Sequence, residues 1–271
     1  MKPIVNWVGG KSRDIKYISK YIPWHINTYI EPFVGGGSMF FHLNHSNNII
    51  NDNDTDLTNL YNNLANSKNQ IIFENACNKF NSSSEIKKQE IFNNALTLLN
   101  TSTDYSLERS IAFYIYKTKV FRGILRYNKF GKYTNYKFNT HNKSIGILKL
   151  TISDNFYKLM EYTQIFNTEY KTIMNMGSEN DFIFIDPPYD KTIGYKTQFT
   201  DGDHIQLSKL FKSSICNIML VINDTPLIRK LYDGYIVDRY TKKYNIKNIV
   251  KSEDFQLVIL NYTHSVYNNE S

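Results

Sequence analysis

Short apolar runs bounded by turn residues recur along this 271-residue chain. Several are nearly continuous isoleucine, valine, leucine and phenylalanine, which is typical of strands covered on both faces in a parallel sheet. Helical segments fit between some of the runs, notably at residues 12–21, 38–43 and 204–213. This alternation predicts an α/β fold with helices flanking the sheet. The predicted strands lie at residues 28–33, 48–51, 162–167, 181–185, 216–223, 235–237 and 256–261.

The alternation stops between residue 56 and about residue 150. Residues 84–100 and 106–118 have helical spacing, and residues 123–142 are rich in Gly, Lys, Tyr and Asn. We interpret this region as an insertion that contains a small helical piece and then a basic, aromatic hairpin or loop. The predicted organisation is one domain formed by residues 1–56 and 151–271, interrupted by an inserted region at residues 57–150.

The positive charge of the chain is concentrated in that insertion. The whole chain has a net charge of +7, yet residues 109–153 contain ten lysines and arginines and not one acid. The rest of the chain therefore carries −3. Seven aromatic residues interleave with the charges between residues 116 and 138. This clustering favours a surface that binds a polyanion, and the alternative is a solvated charged face.

Other features limit the class of protein. Cys77 and Cys216 are far apart in the sequence, which predicts buried thiols in a reducing compartment and no disulfide framework. These two cysteines and six scattered histidines offer no convincing ligand set, so no metal is expected. No run approaches the ~20 apolar residues of a membrane helix, so we expect a soluble, cytoplasmic protein without a membrane partner.

The strongest chemical signal is Asp186-Pro187-Pro188-Tyr189, which directly follows the apolar run at residues 182–185. Open α/β sheets bind ligands at the carboxyl ends of their strands. The Asp186 carboxylate and the Pro187 carbonyl can both accept hydrogen bonds from the exocyclic amine of a nucleobase, favouring a nitrogen whose lone pair can attack an electrophile. Tyr189 offers a ring on which a flipped-out base can stack. The alternative is a proline-stiffened turn with a capping aspartate.

A second signal is a glycine-rich loop between a predicted strand and a predicted helix. Its glycines permit a tight turn and close approach of the backbone to a ligand, although many folds use such loops only for packing. Asp52 ends the next strand, the usual place for an acid that binds ribose hydroxyls. Together they describe a site for a cofactor that contains a nucleoside. The loop reads Glu31-Pro32-Phe33-Val34-Gly35-Gly36-Gly37-Ser38.

A third signal is Trp7-Val8-Gly9-Gly10-Lys11 near the amino terminus. The segment lacks the glycine spacing of a phosphate-binding loop, which argues against a nucleoside triphosphatase. On its own, Trp7 is best explained as a core residue.

These segments, in this order, resemble the motif series of the Dam-type (alpha-class) DNA adenine-N6 methyltransferases. The similarity also covers residues 56–61, 126–133, 199–204 and 257–262, and so spans nearly the whole chain. The resemblance implies a Rossmann-like, S-adenosylmethionine-dependent methyltransferase sheet with an inserted helical and β-hairpin target-recognition region. It also implies that S-adenosylhomocysteine is the product formed from the cofactor.

The resemblance implies roles for individual residues. Asp52 would hold the ribose, residues 33–37 would lie along the methionine part, and Tyr170 would lie against the cofactor's adenine. Asp186 would serve both the cofactor and the target amine. Arg126 matches an arginine that reads guanine, whereas Tyr136 departs from the family pattern. The predicted catalytic residues are Asp186, Pro187, Pro188 and Tyr189. The predicted cofactor-binding residues are Trp7, Gly9, Gly10, Lys11, Glu31, Pro32, Phe33, Gly35, Gly37, Ser38, Asp52, Tyr170 and Asp186. The predicted DNA-binding residues are Lys119, Arg122, Arg126, Asn128, Lys129, Lys132, Tyr133 and Lys137.

The predicted function is that of a site-specific DNA methyltransferase, which transfers a methyl group from S-adenosylmethionine to N6 of a flipped-out adenine in double-stranded DNA. The alternatives are methylation of RNA adenine or of cytosine N4, and a non-catalytic nucleic-acid-binding subunit that retains the fold. Whether a cognate restriction enzyme is a partner stays open. The oligomeric state also stays open between a monomer and a weak dimer. The A/T-rich codon signature of the composition leaves a virus or a low-GC microbe as the source, so the compartment is the cytoplasm of a cell or host, or a virion.

Overall fold

The computed structural model describes residues 1–120, 123–134, 148, 150, 152–188, 199–242 and 254–264. Within these residues, no helix is both long enough and apolar enough to span a membrane.

A sheet of seven strands forms the centre of the described structure, in the order β3-β2-β1-β4-β5-β7-β6. Strands β1 to β5 pair in parallel, whereas β7 runs antiparallel to both β5 and β6. The chain leaves β1 towards β2 and β3 on one side and later returns to β4 and β5 on the other. A crevice therefore opens between β1 and β4, which is where such sheets bind ligands. The strands are β1 (Tyr29–Glu31), β2 (Asn48–Asn51), β3 (Thr163–Phe166), β4 (Phe182–Ile185), β5 (Asn217–Asn223), β6 (Ile236–Lys242) and β7 (Asp254–Leu260).

Helices cover both faces of the sheet. In β4, Phe182 and Phe184 pack in one hydrophobic cluster, while Ile183 and Ile185 pack in the other, because successive side chains of a strand point to opposite faces. The helices are α1 (Ile15–Ile18), α2 (Ser38–Leu43), α3 (Thr55–Ala65), α4 (Gln70–Ser82), α5 (Glu85–Thr101), α6 (Leu107–Lys119), α7 (Asp154–Glu161), α8 (Tyr170–Met174), α9 (Asp201–Ser213) and α10 (Pro226–Leu231). The α/β fold class is thus confirmed.

The predicted insertion contributes helices to the same core as one face of the sheet. The ring of Phe92 on α5 stacks on that of Tyr116 on α6, with centroids 5.3 Å apart, and both belong to the cluster that contains Phe182. The predicted boundary between residues 56 and 57 lies within the first turn of α3, which Asp54 caps by accepting hydrogen bonds from two backbone N–H groups.

The predicted elements agree with the structure with small shifts at their ends. Two predicted elements differ more, and the first is the helix at residues 12–21. There, α1 spans Ile15–Ile18 only, and a tighter 3₁₀ turn over Ser19–Tyr21 follows it. The predicted strand at residues 235–237 is longer in the structure, because it pairs with β7 along its whole length.

Candidate active site

The glycine-rich loop is shaped by the indole of Trp7. Gly35 has a φ of +47°, and a Cβ at this position would lie 2.7 Å from Trp7 Cδ1. A Cβ on Gly36 would lie 3.1 Å from Trp7 Cβ. The tryptophan therefore occupies the space that a larger side chain in the loop would need. The loop can adopt this conformation only if residue 35 is glycine.

Asp52 follows β2 and is held by the backbone on both sides. Its Oδ2 accepts a hydrogen bond from Gly35 N at 2.9 Å, and its Oδ1 accepts one from Asp54 N at 2.9 Å. Burial raises the pKa of this carboxyl to about 7, even though both bonds favour the charged form. The Asp52 carboxylate thus connects the glycine loop to the carboxyl end of β2. It also has remaining lone pairs that can accept hydrogen bonds from a ligand.

Glu31, at the end of β1, is a buried carboxyl group at the same edge of the sheet. It accepts hydrogen bonds from the Tyr29 hydroxyl at 2.6 Å and from Phe40 N at 3.1 Å. Burial, together with the negative charges of Asp186 and Asp52, raises its pKa well above the usual range. A cationic ligand placed beside Glu31 would relieve this cost.

Asp186 directly follows β4 and forms an ion pair with Lys11. The distance between Lys11 Nζ and Asp186 Oδ1 is 2.5 Å, and Lys11 is almost fully buried, at 1% exposure. The ion pair fixes the direction of the carboxylate and joins the amino-terminal segment to the strand that carries it. Pro187 is buried and Pro188 is partly buried beside it.

Three aromatic rings from separate segments of the chain pack together in the site. The rings of Phe33 and Tyr170 stack with centroids 5.1 Å apart, and that of Phe199 stands edge-on to Phe33 at 5.8 Å. This cluster offers an apolar wall of the kind that a nucleobase packs against.

The three carboxyl groups, Lys11, Pro188 and the three aromatic rings described above line one cavity of about 290 Å³, whereas Pro187 is not part of its lining. Its lining is strongly acidic: six carboxyl side chains contribute to it, against two lysines. An acidic lining around apolar and aromatic walls favours a ligand with positive charge and a flat ring. The acids are Glu31, Asp52, Asp54, Glu169, Asp186 and Asp203, and the lysines are Lys11 and Lys171.

Most of the predicted cofactor residues meet in this cavity, and two do not. Gly9 and Gly37 have φ values of +80° and +72°, and they shape turns behind the lining. The other predicted cofactor residues line it: Trp7, Gly10, Lys11, Glu31, Pro32, Phe33, Gly35, Ser38, Asp52, Tyr170 and Asp186.

Several lining residues were missed by sequence reasoning. Asp54 and Glu169 follow β2 and β3 at the carboxyl edge, so the rule that identified Asp52 could have found them. Asp203 forms a capping box with Thr200 at the start of α9, and Phe199 precedes it. Their segment is one of those that resemble the family, but nothing in the sequence shows that Phe199 packs against Phe33 and Tyr170.

Only part of the basic segment lies on the surface of the protein. The prediction that Lys119 binds DNA is wrong, because this residue is buried. Lys119 is fully buried, with its ammonium 5.1 Å from the ring centroid of Phe80, and burial lowers its pKa to about 8. Arg109 is also buried and makes a bidentate ion pair with Asp56, with Nε–Oδ1 and Nη2–Oδ2 distances of 2.5 and 2.9 Å. Lys117 is buried as well. Because these three side chains are buried, they are not available to contact a phosphate on the surface.

Residues 126–134 form a short hairpin that displays the remaining described charges. Thr134 N donates to Arg126 O, and Tyr127 pairs with Tyr133 in an antiparallel bridge. Arg126, Lys129 and Lys132 are exposed. The hairpin therefore presents cations on a fixed backbone.

Two other predicted DNA-binding residues support the hairpin from within. Tyr133 is buried, and its hydroxyl donates to Asp56 Oδ2 at 2.7 Å, which corrects its predicted role as a contact surface. The Asn128 side chain accepts hydrogen bonds from Phe130 N and Lys132 N, so its oxygen closes the turn. The predictions for Tyr189, Arg122 and Lys137, and the family departure at Tyr136, lie outside the described residues.

Comparison with known proteins identifies the family. The model of the D12 class N6 adenine-specific DNA methyltransferases matches residues 7–251. The chain is 34% identical over 260 residues to the type II methyltransferase M.CviBI of Paramecium bursaria Chlorella virus NC1A, covering 91% of this chain and 92% of that protein. It is 27% identical over 289 residues to the type II methyltransferase M.MjaIII of Methanocaldococcus jannaschii, covering 97% and 99%. It is 25% identical over 252 residues to a DNA adenine methylase of Haemophilus influenzae, covering 86% and 83%.

The chain therefore belongs to the D12 class of N6 adenine-specific DNA methyltransferases, and it is an adenine-specific DNA methyltransferase. This confirms the predicted family, fold class and reaction. Methyltransferases of this family use S-adenosylmethionine in general, and their substrate is DNA.

Proposed function

We propose that the acidic cavity binds S-adenosylmethionine and that Asp186 presents the N6 amine of a flipped-out adenine to it. The observation that carries this proposal is the meeting of Asp186, Asp52 and the glycine loop in one cavity with six carboxyl groups. The net positive charge of the cofactor's sulfonium centre fits this lining, and its ribose fits the carboxylate of Asp52.

The acidic and the aromatic residues of the cavity have different proposed roles. Glu31 faces the cost of a buried negative charge, which a neighbouring sulfonium or ammonium group offsets. The rings of Phe33, Tyr170 and Phe199 provide the apolar wall for the adenine of the cofactor. When bound, the cofactor supplies an electrophilic methyl group.

Asp186 and Pro187 are the residues proposed to bind the amine of the target base. The carboxylate of Asp186 and the carbonyl of Pro187 accept hydrogen bonds from the two N6 protons, which turns the nitrogen lone pair towards the methyl group. Lys11 holds Asp186 in this direction through the ion pair. In one displacement, the N6–methyl bond would form while the sulfur–methyl bond of the cofactor breaks and its electron pair stays on sulfur; N6 would then lose a proton to solvent. Pro188 and Tyr189 complete the proposed catalytic segment, with Tyr189 stacking on the base.

We further propose that residues 57–150 recognise DNA for the domain formed by residues 1–56 and 151–271. The exposed Arg126, Lys129 and Lys132 on the hairpin support this division of labour. Arginine can donate two hydrogen bonds to guanine, so Arg126 is the proposed base-reading residue and the lysines contact phosphates. A restriction enzyme partner and the oligomeric state stay predictions.

The experiment that tests the proposal is methyl transfer from radiolabelled S-adenosylmethionine to duplex DNA, followed by digestion to nucleosides. We expect N6-methyl-2′-deoxyadenosine as the labelled product and no transfer by Asp186→Ala, which should still bind DNA. Asp233→Ala removes an exposed carboxylate outside the cavity and should retain transfer. Label in N4-methyl-2′-deoxycytidine, transfer to an RNA of the same sequence but not to the duplex, or full transfer by Asp186→Ala would each contradict the proposal.

A further inference from the structure

Lys117 lies between the cavity and the hairpin, on the last turn of α6. Its side chain is 98% buried, since only 2% of its surface is exposed. Its ammonium donates a hydrogen bond to the carbonyl oxygen of Gly123 and lies 4.5 Å from the centroid of the Trp7 ring. One buried cation thus contacts two segments that are far apart in sequence.

Each of these two segments leads to a different part of the enzyme. Trp7 lines the cavity and packs against Gly35, whose N–H holds Asp52. Gly123 lies three residues before the hairpin, and a Cβ on it would come within 3.8 Å of the Asn6 carbonyl oxygen. A shift of the indole would therefore be transmitted to the start of the hairpin through Lys117.

A second contact joins the same two regions nearby. The hydroxyl of Tyr127, in the hairpin, lies 3.4 Å from Asp54 Oδ2, and Asp54 N donates to Asp52. The negative charge of Asp54 also acts on the ammonium of Lys117. The hairpin is thus attached to the cavity rim through residues that the proposed cofactor would touch.

We propose that Lys117 is a positioning residue that couples cofactor binding to DNA binding, by fixing Trp7 and Gly123 relative to each other. The inference rests on the proposed function, because it needs both ligands. Filling the cavity orders Trp7, which orders Lys117 and the start of the hairpin, so that DNA binds a backbone already in place. Such coupling is reciprocal: DNA raises the affinity for the cofactor by the same factor.

The test compares Lys117→Met with Lys119→Met in the full-length protein. Both substitutions remove one buried ammonium from α6 and keep a flexible apolar stem, but Lys119 packs on Phe80, away from the cavity. We would measure the Kd of S-adenosylhomocysteine with and without a saturating target duplex, and the Kd of the duplex with and without S-adenosylhomocysteine. Thermal unfolding of both variants would show whether they are equally folded.

We expect the wild-type protein and Lys119→Met to show coupling within the usual range of about 5- to 150-fold. In Lys117→Met the factor should fall to about 1, while the Kd for S-adenosylhomocysteine alone changes little. Lys117→Arg should restore part of the coupling, because a guanidinium can still donate to Gly123 and lie over the indole. If Lys117→Met fails to fold, the coupling factor of Lys117→Arg, compared with that of the wild-type protein, tests the inference instead.

Two results would overturn the inference alone: equal coupling in Lys117→Met and Lys119→Met, or a coupling factor of 1 in a wild-type protein that binds both ligands. Failure of the wild-type protein to bind S-adenosylhomocysteine or DNA would overturn the proposed function, and the inference with it.

Discussion

We predict that Asp52 makes cofactor binding dependent on pH near neutrality. Burial raises the pKa of this carboxyl to about 7, and the backbone N–H groups of Gly35 and Asp54 hold both of its oxygens in place. In the proposed function, ribose hydroxyls donate hydrogen bonds to the ionised carboxylate of Asp52, so binding should require loss of its proton. Cofactor binding should therefore be strong above the pKa of Asp52 and should weaken as the pH falls through this value.

The size of the effect follows from the ionised fraction. With a pKa of about 7, about nine-tenths of Asp52 is ionised at pH 8 and about one-tenth at pH 6, so the apparent Kd should rise about tenfold between them. Near pH 7, binding should release about half a proton, since the bound state favours the ionised form.

Calorimetric titration with adenosine isolates this contact. Adenosine carries the ribose and lacks the methionine part, so Glu31 has no cationic group to respond to. Repeating the titration at pH 7 in buffers of different ionisation enthalpy measures the released proton. Asp52→Asn should bind adenosine weakly at every pH and release none. A flat pH profile in the wild-type protein, or the same profile in Asp52→Asn, would refute the reasoning.

Three further predictions concern the loop, the helical region and the hairpin. Gly35→Ala should cost more stability in denaturant unfolding than Gly234→Ala; both residues have positive φ, but only Gly35 is crowded. A smaller cost at Gly35 would contradict the packing argument. Arg109→Met should lower the free energy of unfolding by about 3–5 kcal/mol, because Asp56 would keep a buried charge without its cation; a neutral result in urea unfolding would show that Asp56 is hydrated. Arg126→Ala should lose about 1–3 kcal/mol of discrimination at a guanine in the target, as measured by methylation of single-base variants. Unchanged specificity would remove Arg126 from the reading surface.

The elements around the site could be predicted because their signals are local. The apolar run of β4 and the polar residues after it are adjacent in sequence, so Asp186 could be placed at the carboxyl end of a buried strand. Asp52 could be assigned by the same rule. The residues that were missed depend on long-range packing: Asp203 reaches the cavity only because α9 covers the face of the sheet on which Tyr170 and Phe199 pack.

The basic segment shows the limit of sequence reasoning most clearly. Charge counting treats Lys119 and Lys132 alike, because a formal charge carries no direction. In the structure, α6 is covered by neighbouring helices and places Lys119 against Phe80, whereas the hairpin turn leaves Lys132 exposed. Burial of a cation depends on what packs over it, and those partners come from distant parts of the chain.

The sequence by itself determined the α/β class, the order of the motifs and the chemistry of Asp186 and Asp52, since strand periodicity and residue type are properties of neighbouring positions. The tertiary structure alone decided which charges reach solvent and which carboxyl groups share the cavity. It also decided that Lys117 lies between Trp7 and Gly123. These outcomes depend on contacts between residues that are far apart in the chain. Such residues meet only when the helices pack on the sheet.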